Sequence, residues 1–132
     1  MGFKQLIVIL LILFLFATYI VGGAENISRF IEKYSEEKYQ EPLIEKIAYY
    51  NIHYVCFMAK YKRTLELIEK FKEKYNHSQY LETIFFLRAK TYDKMLDART
   101  AIEEYKKYLE DYPDGKYKKD AEKRRKELLD FY

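Results

Sequence analysis

A single cysteine, Cys56, excludes an internal disulfide, so the chain must be held together by packing and hydrogen bonds. Tryptophan is absent, proline occurs twice and glycine four times. So few helix breakers exclude collagen-like and Pro/Gly-rich disordered classes. There is no glycine-rich phosphate loop either, because the only adjacent pair, Gly22-Gly23, closes an apolar run. No one charge dominates: 24 Lys and Arg stand against 21 Asp and Glu, for a net +3. That balance argues against nucleic acid as the main partner. What remains is 132 residues, 49% hydrophobic and 34% charged. This composition predicts one helix-rich, all-α domain, too small for two independent cores. Cys56 reads as a small buried hydrophobe, although an odd cysteine in an exported protein can also pair with another chain.

The longest hydrophobic run, LIVILLILFLFATYIV, spans Leu6 to Val21 behind one positive charge, Lys4. Gly22 and Ala24 are small residues at the spacing a signal peptidase reads, predicting cleavage before Glu25. The competing expectation is a retained N-terminal membrane anchor. Extended to Ala24, the run reaches 19 residues, close to the roughly 20 that span a bilayer. Residues 1–24 are thus a signal peptide or an anchor, and residues 25–132 an exported domain. That domain is periplasmic or otherwise extracytoplasmic, secreted, or held at the inner membrane. Ala24 stands where a lipidated bacterial precursor would carry cysteine.

One ten-residue phrase is written three times: FIEKYSEEKY (30–39), FKEKYNHSQY (71–80) and YLEDYPDGKY (108–117). The copies begin 41 and then 37 residues apart, which suggests a repeated supersecondary unit. Tyr61, Leu65, Ile68, Phe71 and Tyr75 recur at helical steps, as do Ala98, Ala101, Tyr105, Tyr108 and Tyr112. The first two aromatics of each phrase are four apart and staple a helix end. Pro113-Asp114-Gly115 then breaks the helix, Gly115 permitting a left-handed turn, and Ser78 or Asp114 can cap the helix that follows. Six helices are predicted, over residues 26–36, 42–59, 60–75, 79–95, 97–112 and 116–131. Pro42 suits a first helical position. The second and fourth helices, apolar on nearly every side, are expected between neighbours. The last keeps only Tyr117, Ala121 and Leu128 among basic residues, as a polar end cap would.

From Phe85 the chain reads F-x-x-R-A-x-x-Y, then Ala101-x-x-x-Tyr105, then Pro113. These spacings resemble the tetratricopeptide consensus W-x-x-L-G-x-x-Y, A-x-x-x-F, P, with Arg88 departing from the usual Leu. Ala48, Ile52, Val55, Thr64, Ile68 and Asn76 hold the same places one unit earlier. The 37-residue stride and the Y-P-D-G-K-Y corner look like tetratricopeptide modules of bacterial envelope proteins, including outer-membrane assembly lipoproteins, but without their lipobox cysteine. The resemblance implies a short α-solenoid whose concave face binds a peptide or partner subunit. In the family register the groove positions are Lys46, Tyr49, His53, Cys56 and Phe57, then Thr83, Phe86, Lys90, Asp93 and Lys94. Aromatics beside lysines suit a ligand with an apolar anchor and an acidic group.

Enzymatic constellations are not apparent. His53 and Cys56 lie three apart, but no second pair closes a metal site. His77 beside Ser78 lacks an orienting third group and an oxyanion hole. Acid pairs such as Glu36-Glu37 and Glu103-Glu104 are solvated helix faces. The expectation is a non-enzymatic interaction module without cofactor or metal, with a protein or peptide partner and no nucleic acid. It would contact membrane through the N-terminal segment if that is uncleaved. The alternative is a scaffold subunit or homodimer held by an uncleaved N-terminal helix.

Overall fold

A computed structural model of the chain describes residues 2–20, 23–38 and 40–132. Gly22 and Tyr39, which closes the first copy of the phrase, lie outside them. The described residues form helices and no strand: α1 (Phe3–Ile20), α2 (Gly23–Glu37), α3 (Pro42–Phe57), α4 (Tyr61–Lys74), α5 (Leu81–Lys94), α6 (Ala98–Asp111) and α7 (Lys118–Phe131). All-α is therefore the class, and each helix predicted beyond residue 25 is present within a few residues of its limits. Length alone argues for one folding unit, yet the chain gathers into two compact units, Met1–Lys60 and Tyr61–Tyr132.

In the first unit α1 is helical over the apolar run as far as Ile20, and the rest of the expected anchor passes through residues 21 and 22, outside the described residues. Among the described residues no helix is long and apolar enough to cross a membrane. Lys4 and Gln5 occupy the first turn of α1. Helix α2 buries Ala24, Ser28 and Ser35, small residues on one face that let α3 approach closely. Opposite them α3 buries Ile44, Asn51, Ile52, Val55 and Cys56, with Pro42 in its first turn as expected. The Asn51 amide donates from Nδ2 to the Ser28 carbonyl at 3.3 Å, so one polar contact fixes the register of this seam. Helix α3 is not covered all round, however: Leu43, Tyr50 and Phe57 are exposed at seven-residue steps. The first copy of the phrase also departs from expectation. Phe30 is 73% exposed and Tyr34 45%, because the small-residue seam turns α2's aromatics away from α3.

In the second unit α4 to α7 each have 14 residues, α6 beginning 37 after α4 and α7 37 after α5. The core joins Phe86 and Ala89 from α5, Ala98, Ala101, Tyr105 and Tyr108 from α6, and Ala121 and Leu128 from α7. Alanine lets backbones approach while the rings fill the remaining space. Most of the predicted α6 stripe is buried; Tyr112 is half-buried. Asp97 caps α6 by accepting from the Thr100 amide at 3.1 Å. Arg88, the departure from consensus, bridges Glu69 of α4 (3.3 Å) and Glu104 of α6 (3.2 Å). The corners after α3 and α5 end in left-handed residues, Ala59 (φ 56°) and Leu96 (φ 61°). In both, the next amide reaches back five residues, Lys60 to Val55 and Asp97 to Tyr92, each at 3.1 Å. This is the Schellman arrangement that glycine usually serves.

The repeated phrase is a device for closing a corner. In the third copy the Tyr108 hydroxyl donates to Glu82 Oε1 at 2.8 Å and accepts from the Tyr117 amide at 3.1 Å. The Lys116 amide donates to the same Glu82 oxygen at 2.6 Å. The Tyr117 ring then stacks on Phe86, centroids 4.4 Å apart and planes within 2°. Gly115 is needed for space and not for a left-handed turn: a Cβ there would lie 2.5 Å from the Tyr108 hydroxyl and 2.9 Å from Tyr112 Cβ. In the second copy the corresponding residues are Phe71, which has no hydroxyl, and Ser78 in place of glycine. There Ser78 Oγ accepts from the Tyr80 amide at 3.0 Å, meeting the donor that Tyr108 meets in the third copy. Tyrosine with glycine and phenylalanine with serine are two solutions for one backbone amide. Accordingly, Gly115→Ser alone should destabilise the protein by about 1–3 kcal/mol through overpacking. Adding Tyr108→Phe should recover part of that loss, with a coupling of about 0.5–3 kcal/mol in a double-mutant cycle of urea melts. Strict additivity would separate the two positions.

Candidate functional site

The expected groove residues fall in different units, one set on α3 and the other on α5. On α3, Lys46 is exposed, Tyr49 and His53 are half-buried, Cys56 is buried and Phe57 is 85% exposed. Tyr49 and His53, one turn apart, meet edge-on with centroids 4.5 Å apart. Leu43 and Tyr50 extend the stripe ending at Phe57. The sequence reading missed both, although the seven-residue step over 43, 50 and 57 is visible in the sequence.

On α5 the expected positions lie beside α7. Thr83 Oγ1 and the Tyr117 hydroxyl are 3.4 Å apart, Phe86 stacks on Tyr117, and Asp93 pairs with Arg124. Early residues of α5 thus meet the start of α7 and late ones its middle, so the two helices run side by side in one direction. Phe86 is only 8% exposed, its ring serving the core. Lys90 and Lys94 are exposed, and the Lys90 ammonium lies 5.7 Å above the Phe86 ring.

The Asp93 carboxylate is a second junction. Arg124 donates to it from Nε at 2.7 Å and from Nη2 at 2.9 Å, and from Nη1 to Glu127 at 2.9 Å. Hydrogen bonds to Asp93 and then Glu127 raise the Arg124 pKa, keeping the guanidinium charged. The Tyr105 hydroxyl also donates to Asp93, at 3.4 Å. Beside this junction lies an open cavity of about 440 Å³, lined by Asp93, Leu96, Ala98, Arg124, Leu128 and the two final aromatics. Its volume is that of a small-ligand pocket. Leu96, 85% exposed at its rim, follows from the left-handed corner, which no glycine announces in the sequence.

At the expected cleavage segment, Gly22 is outside the described residues. Ala24, 1% exposed, and Glu25 lie in the first turns of α2. Lys60 pairs with Glu25 at 3.8 Å. Among the described residues no cluster of three or more His, Cys, Asp or Glu could hold a metal ion. Neither protein-family models nor curated protein sequences match this chain.

Ionisation of Tyr105, Tyr108 and Tyr112 is suppressed. Burial, followed by the hydrogen bond to Glu82, pushes Tyr108 up to about 12. Tyr105 is raised further by burial and by Asp93, and Tyr112 by burial, Asp111 and Glu82. An unfolded tyrosine titrates near 10. The folded state therefore favours the neutral phenol, giving stability that is complete below about pH 10 and lost as pH rises towards about 12. The melting temperature should stay level from about pH 7 to 9 and fall above about 10. Tyr108→Phe should make the fall shallower in pH-resolved thermal melts.

Proposed function

We propose that this chain is a non-enzymatic, tetratricopeptide-like interaction module that binds an acidic peptide or partner subunit through the exposed side of α5. The observation that carries this assignment is the 37-residue stride of equal helices in the second unit, which sets α5 beside α7 and leaves Lys90 and Lys94 exposed. A rigid helical cradle with two exposed lysines suits carboxylates, and the Lys90–Phe86 contact orients one of them. Phe86 acts from beneath as packing, so the ligand's apolar anchor meets the ring only at its rim. Export by the N-terminal apolar segment, with cleavage after Ala24, belongs to the same proposal.

Affinity capture from the native host tests it. Lys90→Glu combined with Lys94→Glu should leave the melting curve intact and abolish the captured partner. Phe86→Ala should cost about 3–5 kcal/mol of stability as a core truncation. Unchanged capture by the double lysine variant would remove the α5 surface as the site.

Export has its own measurement: protein recovered from the host envelope should begin at Glu25 by intact mass. A full-length mass would reject cleavage.

A scaffold or homodimer subunit is the second reading, favoured by the exposed Leu43, Tyr50 and Phe57 stripe on α3. Concentration-dependent sedimentation lost on Tyr50→Glu would select it.

A further inference from the structure

The face of α2 turned away from α3 carries two exposed aromatics and two exposed long cations, with a third cation, Lys38, just beyond the helix end. Phe30 and Tyr34 are one turn apart, Arg29 and Lys33 flank them on the same side, and Lys38 follows with its ammonium 5.5 Å from the Tyr34 ring. All five are exposed. We propose that this face docks on an anionic lipid surface, its rings at headgroup depth and its cations on the phosphates.

Three observations select lipid as the occupant. The first is an internal comparison with α6, which carries the third copy of the phrase. There Tyr108 is buried by other helices, and the same face holds Ala98 and Ala101, which let a neighbouring backbone approach. In α2 the buried small residues Ala24, Ser28 and Ser35 lie on the α3 side, and the one small residue in register with Phe30, Gly23, stands at the helix start. The outward face offers Asn26, Arg29, Phe30, Lys33 and Tyr34, which hold a second helix away. Headgroups, being mobile, can fit around such side chains.

The second is composition. Aromatic rings and long cationic chains on one helical face form the pairing that settles at a bilayer interface, where rings sit among headgroups and cations extend to phosphate. The third is position. Helix α2 begins three residues after α1, whose apolar side chains from Leu6 to Phe16 are each 41–61% exposed. A helix apolar on all sides is stable only in apolar surroundings. Any membrane that receives α1, even without being crossed, brings α2 to its surface. The aromatic and basic face of α2 is present whether or not α1 is later removed.

The absence of tryptophan makes a site-specific test direct. Phe30→Trp in the full chain supplies a single indole on the exposed face. With vesicles of mixed phosphatidylglycerol and phosphatidylcholine, its emission should shift to the blue and be quenched by brominated lipid. Phosphatidylcholine vesicles alone should produce little of either. Arg29→Glu with Lys33→Glu in the same background should weaken the response on the order of tenfold or more, with unchanged helical content by circular dichroism. Three results would overturn the proposal. One is an unshifted indole in protein that sediments with the anionic vesicles, which leaves α1 as the only lipid contact. Another is an equal response on neutral vesicles or after charge reversal. The last is a blue shift that grows with protein concentration in the absence of vesicles, which makes a second copy the occupant.

Discussion

A corner between two helices leaves backbone amides with no intrahelical acceptor, and each must be met or stay in water. In the second unit that constraint is answered by Glu82. Its Oε1 takes the Lys116 amide and the Tyr108 hydroxyl, while the same hydroxyl takes the Tyr117 amide. One carboxylate on α5 thereby fixes the end of α6 and the start of α7. The stacking of Tyr117 on Phe86 and the pairing of Arg124 with Asp93 then hold α7 beside α5. The crowding at Gly115 and the suppressed ionisation of Tyr108 are consequences of the same junction.

The energetics of α5 follow from this closure. Salt bridges at its exposed edge contribute little individually, about 0–1 kcal/mol at a typical surface. Arg124 is 44% exposed and Asp93 16%, so that pair acts chiefly through its two-point geometry. Burial of Phe86, Tyr105 and Tyr108 contributes more, since removing an aromatic from a core costs about 3–5 kcal/mol. Position 86, an attractive anchor in the family register, is thus bound to the fold. On α5, Lys90 and Lys94 stay exposed outside that core.

The first unit uses the same vocabulary with a different result. Its helix seam is made by Ala24, Ser28 and Ser35 with Asn51 as the polar contact, and the aromatic pair of the phrase faces outwards. A repeated sequence thus gives a repeated helix end without giving a repeated burial. The rotation of α2 is set by where its small residues fall, since only there can another backbone come close. Phe30 and Tyr34 therefore stay exposed on the surface of this unit.

Local sequence determined the helices and their ends. Periodic apolar spacing, Pro42 and Pro113 act within a turn or two of chain, so α2 to α7 and the buried stripe of α6 are readable without a third dimension, whereas the α6 cap fell to Asp97 and α7 has no side-chain cap where Asp114 was expected. Cys56 as a buried residue and α7 as a polar helix with only Ala121 and Leu128 buried were legible for the same reason. Tertiary structure decided what no single helix encodes. It placed Thr83, Phe86 and Asp93 against α7, gave Arg88 two carboxylates from different helices, and chose space over torsion as the demand on Gly115. It put Ala59 and Leu96 in left-handed corners without glycine, and it left Leu43, Tyr50, Phe30 and Tyr34 exposed. Side-chain periodicity tells which residues share a face. Which face a neighbour covers depends on where small residues allow close approach, and that is fixed only when two helices meet.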